Sequence, residues 1–156
     1  MSRYGATILR LAVGTVFVAH GAQKLFGVWG GPGLSAMSRM LGQLGFPQYT
    51  YPLAVLVALT EFCGGLLLIA GAATLWAAIA LLIEMGVATY KVHWPNGFFL
   101  NWGLTPGRGH GIEFNVVLIA ALLSLVFTGP GAFSFEERRH RSRESRAAGR
   151  ARIRKV

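Results

Sequence analysis

Four long apolar stretches constrain this chain more than any other feature. They run from Ala6 to Lys24, Pro52 to Leu75, Trp76 to Trp94 and Ile112 to Thr128. Each approaches the roughly 20 residues that a helix, rising about 1.5 Å per residue, needs to cross ~30 Å of hydrocarbon. The first and fourth are at the short end, which implies close packing or local thinning of the bilayer. The placement of charge agrees. Only 13% of the 156 residues are charged, and 53% are hydrophobic. Nine of the fifteen basic residues lie in the last 21 positions. Residues 1–135 keep six basic and three acidic side chains, too few to cover a water-soluble globule of this size. The expected class is therefore all-α: an integral-membrane four-helix bundle over residues 1–135, then a basic tail over 136–156.

The connections refine that picture. Spans two and three meet at Gly71-Ala-Ala-Thr-Leu-Trp, short enough to make an antiparallel hairpin. The connection from Gly27 to Tyr51 is rich in Gly and Pro, but Leu34-Ser-Ala-Met-Ser-Arg-Met-Leu carries apolar residues at helical spacing. It reads as a short interfacial helix. The connection from Trp94 to Gly111 holds Trp94, Phe98, Phe99 and Trp102, as expected of a loop at headgroup level.

Arg3 and the nine basic residues of the tail lie on one side of the bundle, against Lys24, Arg39, Lys91 and Arg108 on the other. The richer side is expected to be cytoplasmic, with both termini inside. The tail is polar, and is expected to be disordered or to lie on anionic lipid. Nucleic acid is not an expected partner, because the basic surplus sits at the end of an oily chain. Ala19-His-Gly-Ala22 loosely mimics a signal cleavage site, but Arg10 interrupts the run before it and no A-x-A site follows. The single Cys63 excludes a disulfide scaffold.

An ionisable side chain inside a span asks for a partner or a role. Span one carries Arg10, His20 and Lys24; span two Glu61; span three Glu84 and Lys91; span four begins at Glu113. At about 100° per residue, Lys24 lies about 40° and His20 about 80° from Arg10 around the helix. Gly14 and Gly21 share that face, so a second helix can approach it closely. Glu61 and Gly65 line up on span two in the same way. With the termini inside, His20, Lys24, Lys91, His93 and Glu113 gather toward the outer half, Glu84 lies near mid-depth, and Arg10 lies nearer the inside. The structural reading is that these Lys and Glu residues only fix helix register, or snorkel to the headgroups. The functional reading is a ligand or proton site. Metal is not expected: His20 and His93 have neither a Cys-x-x-Cys-His nor a His-Glu-x-x-His context. Cys63, beside Gly64 and Gly65, reads as a small packing residue. No nicotinamide or flavin fingerprint is present, so an electron carrier would be membrane-soluble or belong to a partner.

Several motifs together are similar to the DoxX family: Arg10-Leu-Ala-Val-Gly14, His20-Gly-Ala-Gln-Lys24, Glu61-Phe-Cys-Gly-Gly65, Val92-His-Trp-Pro-Asn-Gly-Phe-Phe99, Glu113-Phe-Asn115 and Gly129-Pro-Gly-Ala-Phe-Ser134. The likeness covers residues 5–135 in order and leaves out the tail. Glu84 and Cys63 are not part of these motifs. The resemblance implies a small multi-pass protein of the bacterial inner membrane, similar to the membrane subunit of thiosulfate:quinone oxidoreductase. Sulfur or thiol redox and oxidative-stress chemistry are the implied setting.

Two classes of function follow. In the first, a quinone enters between the helices and no cofactor is covalently bound. Glu61, His20 and Lys24 are then the catalytic candidates. Arg10, Glu84, Lys91, His93, Trp94, Phe98, Phe99, Glu113 and Asn115 are the substrate-binding candidates. In the second, the spans are a non-enzymatic scaffold, with the tail docking anionic lipid or a redox protein, alone or in an oligomer. A small-molecule carrier is a third option, though no broken-helix pair is evident.

Overall fold

The computed structural model describes residues 3–46, 48–139 and 142. They form five α-helices: α1 (Arg3–Phe26), α2 (Gly33–Gln43), α3 (Thr50–Ala70), α4 (Thr74–Ala88) and α5 (Glu113–Thr128). Helix α4 continues through a π-helical turn, Thr89–His93, and a 3-10 turn, Trp94–Asn96. No strand occurs among the described residues. Three segments are long and apolar enough to cross a membrane: Arg3–Phe26, Thr50–Ala70 and Thr74–Asn96. The fourth, α5, is apolar but has 16 residues, about 24 Å of helix.

Helices α1, α3, α4 and α5 close into a ring, each packed on the next and α5 back on α1. The α1–α3 contact is the most intimate, and glycine makes it so. A Cβ on Gly14 would stand 2.8 Å from the Gly65 carbonyl oxygen, and one on Gly21 would stand 2.4 Å from the Phe62 nitrogen. Neither helix could carry a side chain there at this separation, so the small-residue face expected on span one is the face that packs. The core opposite is aliphatic: Leu81 and Met85 of α4 meet Leu118, Leu122 and Leu125 of α5, with Phe17 and Leu68 completing it. Many large apolar side chains point outward, among them Ile8, Leu56, Leu66, Ile83, Val117 and Phe127. A chain in water would hide these; a lipid-facing bundle has no reason to.

Helix α2 lies where the interfacial helix was expected. It rests on α3 through Met37, Leu41 and Ala54. The hairpin link is shorter than the sequence suggested. Thr74 and Leu75 belong to α4, and residues 71–73 turn the chain with Gly71 at φ 65° and Ala73 at φ 48°. Gly71 ends α3 in the left-handed conformation that a Cβ disfavours.

One end of the bundle is tied tightly, and it carries both the start of α1 and the segment after α5. The Ala132 amide donates to the Arg3 carbonyl, and the Thr7 hydroxyl donates to the Ala132 carbonyl at 2.8 Å. Residues 135–139 are helical and belong to this base instead of to a loose tail. The Glu136 amide donates to the Gly71 carbonyl, and its carboxylate accepts the Thr74 amide at 2.7 Å. Glu137 pairs with Arg3. A carboxylate on the first turn of α4 satisfies an N–H that the helix leaves open and faces the positive end of its dipole. The expectation of disorder or lipid contact for the rest of the tail falls on residues 140–141 and 143–156, outside the described residues.

Candidate functional site

The end of the bundle away from Arg3 and the segment after α5 gathers Lys24, Glu61, Glu84 and Lys91. Lys24, in the last turn of α1, forms an ion pair with Glu61, in the middle of α3. The α1–α3 glycine contact explains why: with Gly21 against Phe62 the backbones touch, and a lysine three residues on reaches a glutamate one residue back. The pair is largely shielded, with side-chain exposures of 20% and 8%.

This pair divides two cavities. The larger, of about 530 Å3, opens between α2, α3 and α4. Its walls are Met37, Leu41, Phe46, Leu53, Val57, Ile83 and Val87, with Glu84 and Lys91 on the α4 side. The smaller, of about 350 Å3, lies between α1, the end of α4, the following loop and α5. Phe17, Met85, Phe114 and Leu118 line it together with His20, His93, His110 and Asn115. Lys24, Glu61, Ala88 and His93 line both.

One polar atom in these walls lacks a partner. The Glu84 carboxyl faces Glu61 and Lys24, and its Oε2 is buried without a hydrogen bond. Such an atom is unusual in a settled core, where buried polar groups are paired. Asn115 is 3% exposed and borders the smaller cavity. The imidazoles are better defined. His93 Nδ1 lies 2.9 Å from the His110 carbonyl oxygen, so it carries a proton. His110 Nδ1 accepts the Asn101 amide at 3.1 Å, so that nitrogen is unprotonated.

Not every residue singled out in the sequence comes here. Arg10 is 1% exposed at the opposite end. Its guanidinium donates to the carbonyls of Leu68, Ile69 and Pro130, and at 3.5 Å to that of Ala132. It closes the C-terminus of α3 and holds the returning segment, and it lines neither cavity. Glu113 accepts the Leu100 amide at 3.0 Å and lines neither cavity; it fastens the loop to α5. Trp94, Phe98 and Phe99 are exposed and line neither cavity. They sit where headgroup anchors would. Lys91 lies at the rim of the larger cavity, with its ammonium 5.6 Å from the Phe46 ring centre. Cys63 is exposed. Among the described residues no three His, Cys, Asp or Glu side chains gather as a metal site would require. Sequence reasoning missed Phe17, Met85, Phe114 and His110 as cavity walls. Only His110 carried any signal, as a titratable residue in a glycine-rich loop.

Fold and site together define a multi-pass helical membrane protein with an ion pair set between two cavities. The chain belongs to the DoxX family, whose sequence profile matches residues 5–94. The motifs at Glu113–Asn115 and Gly129–Ser134 lie beyond that match. An uncharacterized membrane protein of Mycobacterium tuberculosis, Rv3486, is 31% identical over 135 residues, which cover 83% of this chain and 78% of that protein. No solved structure matches.

Proposed function

We propose that the protein is a quinone-linked oxidoreductase subunit of the bacterial inner membrane. The observation that carries this reading is the 530 Å3 apolar cavity that ends on Lys24, Glu61 and Glu84. Ligand sites in proteins are mostly apolar with a few convergent polar groups, and a quinone head is an apolar ring with two carbonyl oxygens. The aliphatic walls fit the ring and its chain. The Lys24 ammonium is a donor for one carbonyl, and Glu61 and Glu84 are groups able to hold or give a proton. His20 borders the smaller cavity only, so its part is to face the Lys24–Glu61 pair from the other side. A bound quinone supplies the two-electron acceptor. The electrons come from a thiol or sulfur donor, directly or through a partner protein.

The orientation belongs to the same reading. Arg3 and the segment leading to the basic tail share one end of the bundle, and a lysine- and arginine-rich end is the cytoplasmic one. Both cavities then lie toward the outer leaflet.

The test is a bound-ligand analysis. The full chain is purified in mild detergent, extracted with organic solvent and examined for quinone by ultraviolet spectrum and mass. A Glu61→Gln/His20→Ala variant is run beside it. Near-stoichiometric quinone that is lost in the variant supports the reading. A chain that holds none, even after quinone is added back, overturns it in favour of a scaffold. One observation favours that second reading: the Lys24–Glu61 pair satisfies itself, as a register device would.

A further inference from the structure

Three charged groups converge where α1, α3 and α4 meet: Lys24, Glu61 and Glu84. One is a cation and two are carboxyl groups. Lys24 and Glu61 neutralise each other as an ion pair. Glu84 stands beside them, with Oε2 buried and unbonded. A carboxylate next to another carboxylate has nothing to bond to; a carboxylic acid does, because its O–H can donate to the neighbour. Two carboxyl groups sharing a buried site do not both ionise against a single cation. The surroundings offer no second cation at this depth. Lys91 is exposed at the rim, with its ammonium near the Phe46 and Tyr90 rings. His20 and His93 border the smaller cavity on the far side of the pair, and His93 lines the larger one as well.

We infer that Lys24, Glu61 and Glu84 hold one proton in common, carried on Glu84, and that Glu84 is the acid that gives this proton to a ligand in the larger cavity. The delivery step rests on the reading of that cavity as a quinone site; the shared proton does not. The balance is simple. As the thiol or sulfur donor passes two electrons to the quinone, the Glu84 O–H bond breaks, the proton passes to an oxygen of the reduced quinone, and the cluster goes from neutral to one net negative charge. The second proton follows by the same route once Glu84 is reprotonated. The proton is restored from the side of the smaller cavity past His93, which lines both cavities.

Infrared spectroscopy counts carboxylic acids directly, because the C=O stretch of a protonated carboxyl is separate from that of a carboxylate and shifts in D2O. The full chain is reconstituted in lipid at neutral pH. The expected signal is one buried acid per chain. Glu84→Gln removes it. Glu61→Gln also removes it, because Glu84 then ionises against Lys24. Lys24→Gln doubles it, because both acids become neutral. Lys24→Gln/Glu61→Gln deletes the ion pair as a unit and restores one acid, which guards against single variants that fold poorly. A wild-type chain without the band, or a band at full strength in Glu61→Gln, overturns the shared proton. Adding a short-chain quinone and then a thiol reductant tests delivery. A band that moves or is lost on reduction supports it, and a band unchanged on reduction with quinone bound overturns it. A correct count with no quinone bound leaves the shared proton standing and rejects the quinone reading instead.

Discussion

Lys24 and Glu61 lie 37 residues apart on two helices, and their ion pair is the wall between two cavities. A pair placed in the packed core would only fix register. This one borders empty space on both sides, so a molecule in either cavity meets both its charges.

Breaking the pair by one residue disturbs the whole cluster. Glu61→Gln takes the paired carboxylate from Lys24, and Glu84 has to ionise in a mostly shielded place to replace it. The expected loss is about 3 kcal/mol, the lower end for a buried pair because Lys24 keeps some exposure. Lys24→Met/Glu61→Leu recovers most of that loss, since no charge is left unpaired. Thermal unfolding in detergent of the wild type, Glu61→Gln and the double variant measures the difference. Equal stability of the single and double variants would refute it.

Arg10→Lys is not a conservative change here. A guanidinium reaches four carbonyls at once, and an ammonium cannot copy that fork. Destabilisation of about 2–4 kcal/mol is expected. Quinone content per folded molecule is unchanged, because Arg10 sits at the other end from both cavities. A variant that folds normally but loses ligand would restore Arg10 to the binding set.

Gly21→Ala puts a methyl group against the Phe62 backbone, where a Cβ has 2.4 Å. The helices have to part, at a cost of about 1–3 kcal/mol, and Lys24 moves away from Glu61 with them. Gly86→Ala is the control. Its Cβ meets nothing within 4 Å, so the change is neutral or stabilising by up to about 1 kcal/mol through helix propensity. Unfolding temperatures of the two variants should move in opposite directions, or only the first should move.

Asn115→Leu replaces a buried amide in the wall of the smaller cavity by an apolar side chain of similar size. Stability holds or rises by about 1 kcal/mol, while any activity that uses the smaller cavity falls. If stability drops by several kcal/mol instead, the amide is bonded in the native protein and the cavity is not a polar chamber.

Much of the fold is legible in the sequence, because lipid imposes a strict rule on backbone hydrogen bonds and hence on helix length. The α1–α3 contact is legible for a similar reason: Gly14 and Gly21 recur at helical spacing, and only close packing explains them. The ends are harder. Thr74 and Leu75 are as apolar in pattern as α3, but the left-handed Ala73 puts them on α4. The site is legible in part. Lys24, Glu61, Glu84, His20, His93 and Asn115 converge as their depths suggest. Arg10 and Glu113 do not, because backbone carbonyls and amides at chain turns engage them, and those turns exist only once the helices are packed. The π turn at Thr89–His93 has no sequence signature either. It widens the helix locally, and His93, at its end, faces both cavities.

The cap of α4 comes from far along the chain. Thr74 receives its acceptor from Glu136, 62 residues later. During synthesis the hairpin of α3 and α4 therefore enters the bilayer with that N–H open. It is closed only after α5 has inserted and the returning segment has reached back to Arg3, Thr7 and Gly71. Closing that N–H thus requires α1, α3, α4, α5 and the returning segment to be in place together, a latch at one end of the bundle. A nascent chain arrested before position 136 would present an unlatched bundle, with Arg10 lacking two of its four carbonyl partners when Pro130 and Ala132 are still missing.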